Sequence, residues 1–145
     1  MKSIIDRLSP TKPKDIEKLQ KIFQKSGCGE YFDAVMAEVK GPNVSDFTKK
    51  RVIVTRNYIV DCTGWINSIG NVIKVVPIND ITKIYRSNIS FLNGGEYNFD
   101  FFHLTVERRT SETMEIMGAT PRNNKVLEYF DDIIEDVKAK MAMEG

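Results

Sequence analysis

The hydrophobic pattern changes its period twice along the chain. In residues 14–26, "KDIEKLQKIFQKS", Ile16, Leu19, Ile22 and Phe23 fall near one face of a 3.6-residue repeat, with Lys and Glu opposite. This predicts an amphipathic helix. Thr11 or Ser9 is placed to cap it, Pro13 suits its first turn, and Gly27 and Gly29 stop it. "EYFDAVMAEVKGP" predicts a short second helix, because Ala34 and Ala37 dilute its β-branched content and Gly41-Pro42-Asn43 closes it. From Phe47 the period falls to two. "KRVIVT" and "YIVDC" read as strands joined by a tight turn at Arg56-Asn57. "TGWINSIGN" reads as a loop, or as a strand continuation with a bulge. "VIKVV" is a third strand, and Pro77, which has no N–H for a ladder, marks its end. After "IND" comes a fourth, short strand, "DITKIYR". The turn signal Asn93-Gly94-Gly95 leads into a long strand, "YNFDFFHLTVERR", and "ETMEIMG" pairs back with it across "RTS". Beyond Pro121 the helical period returns: Val126, Leu127, Phe130, Ile133, Ile134, Val137 and Met141 form one stripe.

Two N-terminal helices, six to seven antiparallel strands and a long C-terminal helix define an α+β chain. Its strands form a small barrel or sandwich capped by the last helix. Residues 1–45 read as a helical extension packed on the sheet. Residues 46–145 read as the main domain, the whole forming one compact unit. A length of 145 residues, 41% hydrophobic and 28% charged, fits one globular core. The formal net charge of +1 gives no global field toward nucleic acid, so no nucleic-acid partner is expected. Locally, though, residues 1–26 are rich in Lys and the last helix leans acidic. "MKSIIDRLSP" holds too short an apolar stretch for a secretory signal, and no run reaches transmembrane length; the expectation is a cytoplasmic protein. Cys28 and Cys62 lack CxxC spacing and have a single histidine to help them, which argues against zinc. Reduced thiols are expected, with a Cys28–Cys62 disulfide left open. "NGG" at 93–95 lacks the spacing of a phosphate loop, and no cofactor is expected.

"VIVTRNYIV" (52–60), "VVPINDITKIY" (75–85) and the helix "NNKVLEYFDDIIEDVKAKM" together resemble a bacterial pleckstrin-homology-like domain over about residues 47–142. The resemblance implies that "IKVVPINDITKIY" is the bend between strands. Ile78 and Ile81 would be core residues there, and Asp80 would satisfy backbone N–H groups at the corner. It also implies a scaffold that binds phosphoinositides, peptides or protein surfaces.

Candidate partner contacts are Trp65, Phe99, Phe101 and His103. Alternation sets Phe99, Phe101 and His103 on one strand face, an aromatic surface that either the first amphipathic helix or a partner must cover. Trp65, in a Gly-flanked segment, either anchors a partner or folds back on the barrel. Candidate anion contacts are Lys49, Lys50, Arg51 and Arg56 around the first hairpin; the alternative is a set of solvated edge charges. Asp131, Asp132, Glu135 and Asp136 read as a solvated helix face rather than a metal site. The functional expectation is a non-enzymatic module binding a protein or peptide. The alternatives are a peripheral membrane or anionic-ligand binder, and an enzyme with His103 as general base. A homo-oligomer stays open, because the N-terminal helices can cover the sheet or swap onto a second copy.

Overall fold

In the computed structural model the chain is described over residues 3–47, 51–66, 72–93, 96–110, 113–119 and 124–143, with side chains except at 88–101 and 114–127. It divides into two compact units, the division falling between Asn79 and Asp80 rather than at 45/46.

The first unit opens with a short helix, α1 (Ile4–Arg7), which the periodicity did not foretell. Its N-cap is Ser3, whose hydroxyl oxygen accepts the Asp6 N–H at 3.1 Å. Helix α2 spans Pro13–Lys25. Neither Thr11 nor Ser9 caps it: Pro13 sets the first helical position, so the cap falls to Lys12, which offers no side-chain bond. Its stop is a Schellman turn. The Gly27 N–H donates to Gln24 O at 3.1 Å and the Cys28 N–H to Phe23 O at 3.0 Å, with Gly27 at φ 79°. A 3₁₀ turn, Gly29–Tyr31, then leads into α3 (Phe32–Val39). Phe32 meets Phe23 edge-to-face, ring centroids 5.1 Å apart.

Four strands follow: β1 (Ser45–Phe47), β2 (Val52–Val54), β3 (Tyr58–Asp61) and β4 (Lys74–Pro77), antiparallel in that order. The β2–β3 connection is the expected tight hairpin, closed by Thr55 N–H donating to Tyr58 O at 2.8 Å. "TGWI" is neither loop nor strand but a single helical turn, α4 (Thr63–Ile66). The cause is Asp61, whose Oδ1 accepts both the Thr63 N–H (3.0 Å) and the Thr63 hydroxyl (2.6 Å) and so bends the chain out of β3. Pro77 ends β4 as expected, and the next amide, Ile78 N–H, donates to Asn57 O at 2.8 Å. Leu19, Phe23, Phe32 and Val35 from the helices share one buried cluster with Ile53, Val60, Ile73 and Val75. The apolar need of α2, which the sequence reading met with Phe99, Phe101 and His103, is met here within the first unit.

The second unit is a three-stranded antiparallel sheet, β5 (Ile81–Asn93), β6 (Glu96–Arg108) and β7 (Met114–Ala119), followed by α5 (Asn124–Met143). Strand β5 is not short. It runs 13 residues because its register with β6 continues through the polar positions Ser87, Asn88 and Ser90 as far as Asn93↔Glu96. The pairing of β7 with β6 runs from Phe102↔Ala119 to Val106↔Met114, as the "RTS" reading expected. Helix α5 lies against β5. Its stripe is buried at Phe130, Ile133 and Val137, as are Ile84, Leu104 and Val106 of the sheet. The two ladders make an α+β chain with seven strands; no closed barrel forms among the described residues.

At the "PIND" corner the two isoleucines are buried, and the Asp80 carboxylate turns to the end of β6 rather than to the corner's own backbone N–H groups. Ile78 and Ile81 are each 1% exposed. Asp80 binds the far end of β6: its carboxylate accepts Arg108 Nε–H (2.7 Å), the Thr110 hydroxyl (2.7 Å) and the Thr110 N–H (3.1 Å). Its carbonyl accepts the Arg109 N–H at 2.8 Å. Burial works against the Asp80 charge, but the Thr110 and Arg108 donors outweigh it and hold the carboxyl below the usual carboxylate range.

Candidate functional site

Trp65 is the candidate contact that the fold places at an opening. The Asp61–Thr63 turn carries the chain from β3 into α4, and the indole is left half-buried against the edge of the helix–sheet core. Its other side lines a groove of about 730 Å³. The opposite wall is the α1–α2 connection and the first turns of α2, with Leu19 and Ile22 as the apolar floor. Arg7, Lys12 and Lys18 stand around the mouth together with Asp6 and Asp15, all five exposed. None of the three cations has an ion-pair partner among the described residues, whereas farther along α2 Lys21 pairs with Glu17 at 3.4 Å. An aromatic platform beside an apolar floor, with three cations and two carboxylates at the rim, suits an apolar side chain flanked by charged groups.

No other sequence candidate is among the residues that line this groove. His103 lies half-buried in β6, opposite Ser87 of β5 and Gly118 of β7. Beside it the Ser87 and Thr105 hydroxyls bond each other at 2.7 Å. Phe99 and Phe101 face Phe91 and Ile89 in the β5–β6 register, and their side chains lie outside the description. Lys49 and Lys50 lie outside the described residues. Arg51 precedes β2 with a left-handed backbone (φ 58°), and its carbonyl accepts the Cys62 N–H at 2.8 Å. Its Nε is buried without a hydrogen-bond partner among the described residues. Arg56 is at the tip of the β2–β3 hairpin.

Sequence reasoning missed what holds that hairpin. Glu38, in the last turn of α3, accepts three bonds from it, each 2.8 Å: the Thr55 hydroxyl and the Asn57 N–H on Oε1, and the Asn57 amide Nδ2 on Oε2. A carboxylate thus occupies donors that an anionic ligand at this tip would need. No local signal pointed to Glu38, because the bonds span 17 to 19 residues. In α5, Asp131, Asp132 and Glu135 are exposed as expected. Asp136 instead bonds Lys140 at 2.9 Å, and Lys140 is only 4% exposed. Among the described residues no three His, Cys, Asp or Glu side chains are grouped to hold a metal ion.

Cys28 and Cys62 are free, buried thiols. Burial pushes the Cys28 thiol up to about 11, and pushes Cys62 up as well, with the neighbouring Asp61 charge adding to it. Among the described residues no helix is long and apolar enough to cross a membrane. The chain matches no family model, no curated protein and no solved structure.

Proposed function

We propose that this chain is a non-enzymatic interaction module on a pleckstrin-homology-like scaffold, taking a segment of a partner protein into the Trp65 groove. The observation that carries the reading is the pairing of a half-buried indole with three cations that have no ion-pair partner among the described residues, around an apolar floor. The order of seven antiparallel strands followed by a long helix supports the scaffold. The segment that fits is acidic with one large apolar side chain: the side chain stacks on Trp65 and the carboxylates meet Arg7, Lys12 and Lys18.

Trp65 is the single tryptophan, so its emission reports this groove directly. The test is a fluorescence titration with acidic peptides carrying a central Leu or Phe, beside charge-reversed controls. Saturable quenching or a blue shift is expected. Reversing two rim charges, Lys12→Glu with Lys18→Glu, is expected to weaken binding about fivefold or more, with affinity falling as salt rises. Binding indifferent to both charge reversal and salt sinks the reading, as does turnover of a small molecule unaffected by these substitutions.

A second reading, an anionic-ligand or membrane-surface binder through Lys49, Lys50, Arg51 and Arg56, rests on the buried Arg51 Nε, which has no hydrogen-bond partner among the described residues. Vesicles containing anionic lipid separate the two. Co-sedimentation that is lost in Arg51→Gln and insensitive to Lys12 and Lys18 favours the second reading.

A further inference from the structure

A second opening lies wholly within residues 80–145, away from any residue considered above as a contact. It is a cleft of about 580 Å³ where the start of β5 meets the last turns of α5. Its apolar surface comes from Ile84, 5% exposed, and Met141, half-buried. Its cations are Lys83 on the strand and Lys138 on the helix, both exposed and without an ion-pair partner among the described residues. The one carboxylate in the lining, Glu107, is already engaged. It lies across the ladder from Lys83 and receives the Tyr85 hydroxyl, a bond that also pushes the Tyr85 phenol upward. The Thr82 hydroxyl donates to the Glu107 carbonyl at 3.1 Å, which pins the β5–β6 ladder at the cleft.

We infer that this cleft binds a small amphiphilic carboxylate: a single anionic headgroup on a short apolar tail. The size lies within the usual range for small-molecule clefts, about 300–1,000 Å³. The polar inventory sets the sign of the headgroup. Lys83 on the strand and Lys138 on the helix bring two ammonium groups to the lining from different elements, and the one carboxylate among the lining residues, Glu107, is drawn to a phenol. The apolar patch of Ile84 and Met141 sets the tail. Methionine, unbranched and polarisable, conforms to a flexible alkyl or aryl group without demanding one shape. Glu107 also supplies a filter, because a ligand with two adjacent negative charges meets it as a third charge. The site is independent of the Trp65 groove, so either can fail without the other.

The test is a protein-observed NMR titration of the full chain with octanoate, with octylammonium and butyrate as controls. Octanoate is expected to give saturable shifts at the amides of Lys83, Tyr85, Glu107, Lys138 and Met141. Butyrate, with the head but little tail, is expected to bind about tenfold more weakly or worse. The exposed double substitution Lys83→Gln with Lys138→Gln is expected to weaken octanoate by about tenfold or more while leaving the rest of the spectrum in place. Tyr85→Phe frees Glu107 to compete for the lysines and is expected to weaken octanoate severalfold while leaving octylammonium no weaker. The proposal is overturned if octylammonium binds these amides as tightly as octanoate, or if the double variant binds octanoate within about twofold of the parent. It is also overturned if no saturable shift arises there up to about 10 mM octanoate.

Discussion

Replacing Asp80 by alanine tests the corner that closes the second sheet. The carboxylate receives three hydrogen bonds, two of them at 2.7 Å. Its side chain is 8% exposed and that of Arg108 13%. Charge-assisted hydrogen bonds contribute about 1.5–3 kcal/mol each, so the gross loss is large. Part is recovered, because water enters the vacated space and Arg108 keeps a path to solvent. The cost expected for breaking a largely buried pair from one side is about 3–5 kcal/mol. Asp80→Asn keeps the shape and one acceptor oxygen and is expected to cost about half as much, the charge-assisted share. The assay is urea unfolding of the full chain, read together with native-state exchange of the Arg109 amide, which donates to Asp80 O.

The pH dependence gives an independent check on the same corner. The folded carboxyl titrates below its ordinary value of 3.8, since the Thr110 and Arg108 donors outweigh its burial. A depressed folded value means that the stabilisation is complete above the unfolded value and is lost as pH falls through the folded one. The gap between parent and Asp80→Ala is therefore constant near neutrality and closes on the acid side of 3.8. An alanine cost below about 1 kcal/mol at pH 7 refutes the reasoning. So does a gap that persists unchanged through the acid range.

Three further outcomes are expected. Gly27→Ala is expected to cost about 1–2 kcal/mol by thermal unfolding, and purely through backbone conformation: φ is 79° and a Cβ there meets nothing within 4 Å, so Gly27→Asn should recover part of the loss. Glu38→Ala is expected to cost about 2–4 kcal/mol, because it strands both Asn57 donors and leaves the Thr55 hydroxyl only its 3.4 Å bond to Tyr58 O; hydrogen exchange at the Asn57 amide should accelerate far more than at the Cys28 amide. With Cys28 at about 11 and Cys62 pushed up as well, neither thiol should react with a disulfide reagent at pH 8 in the native state, while both should react once urea unfolds the chain.

Much of this architecture is local and was legible for that reason. The stripe of α5, that of α2 apart from Ile16, which is exposed, the break at Pro77 and the Arg56-Asn57 hairpin each follow from residues within a few positions of one another. Ile78 and Ile81 were expected in the core and are buried there, whereas Asp80, expected to satisfy N–H groups at the corner, instead binds Arg108 and Thr110. What escaped depends on distant or single contacts. The α4 turn is made by one side chain, Asp61, acting on Thr63. The length of β5 is set by its partner strand, since Ser87, Asn88 and Ser90 carry no apolar signal of their own. The Trp65 groove brings residues 6–22 against residue 65, and no window along the sequence spans that separation. Lys12 and Lys18 were visible in a Lys-rich run, but nothing in the run said which of its lysines border an indole.

The helices and the first sheet exchange more than apolar contact. Just beyond α2, the Ser26 hydroxyl accepts the Ile73 N–H at 2.9 Å, and the Cys28 thiol donates to Ile73 O at 3.4 Å. Two side chains thus do for one residue ahead of β4 what a neighbouring strand would otherwise do. For the lineage of this chain the implication concerns recombination. A crossover near residue 45 would leave the sheet without these bonds, uncover Ile53, Val60 and Val75, and expose an edge open to pairing with other chains. The first 79 residues, one compact unit, are therefore expected to be inherited as a block.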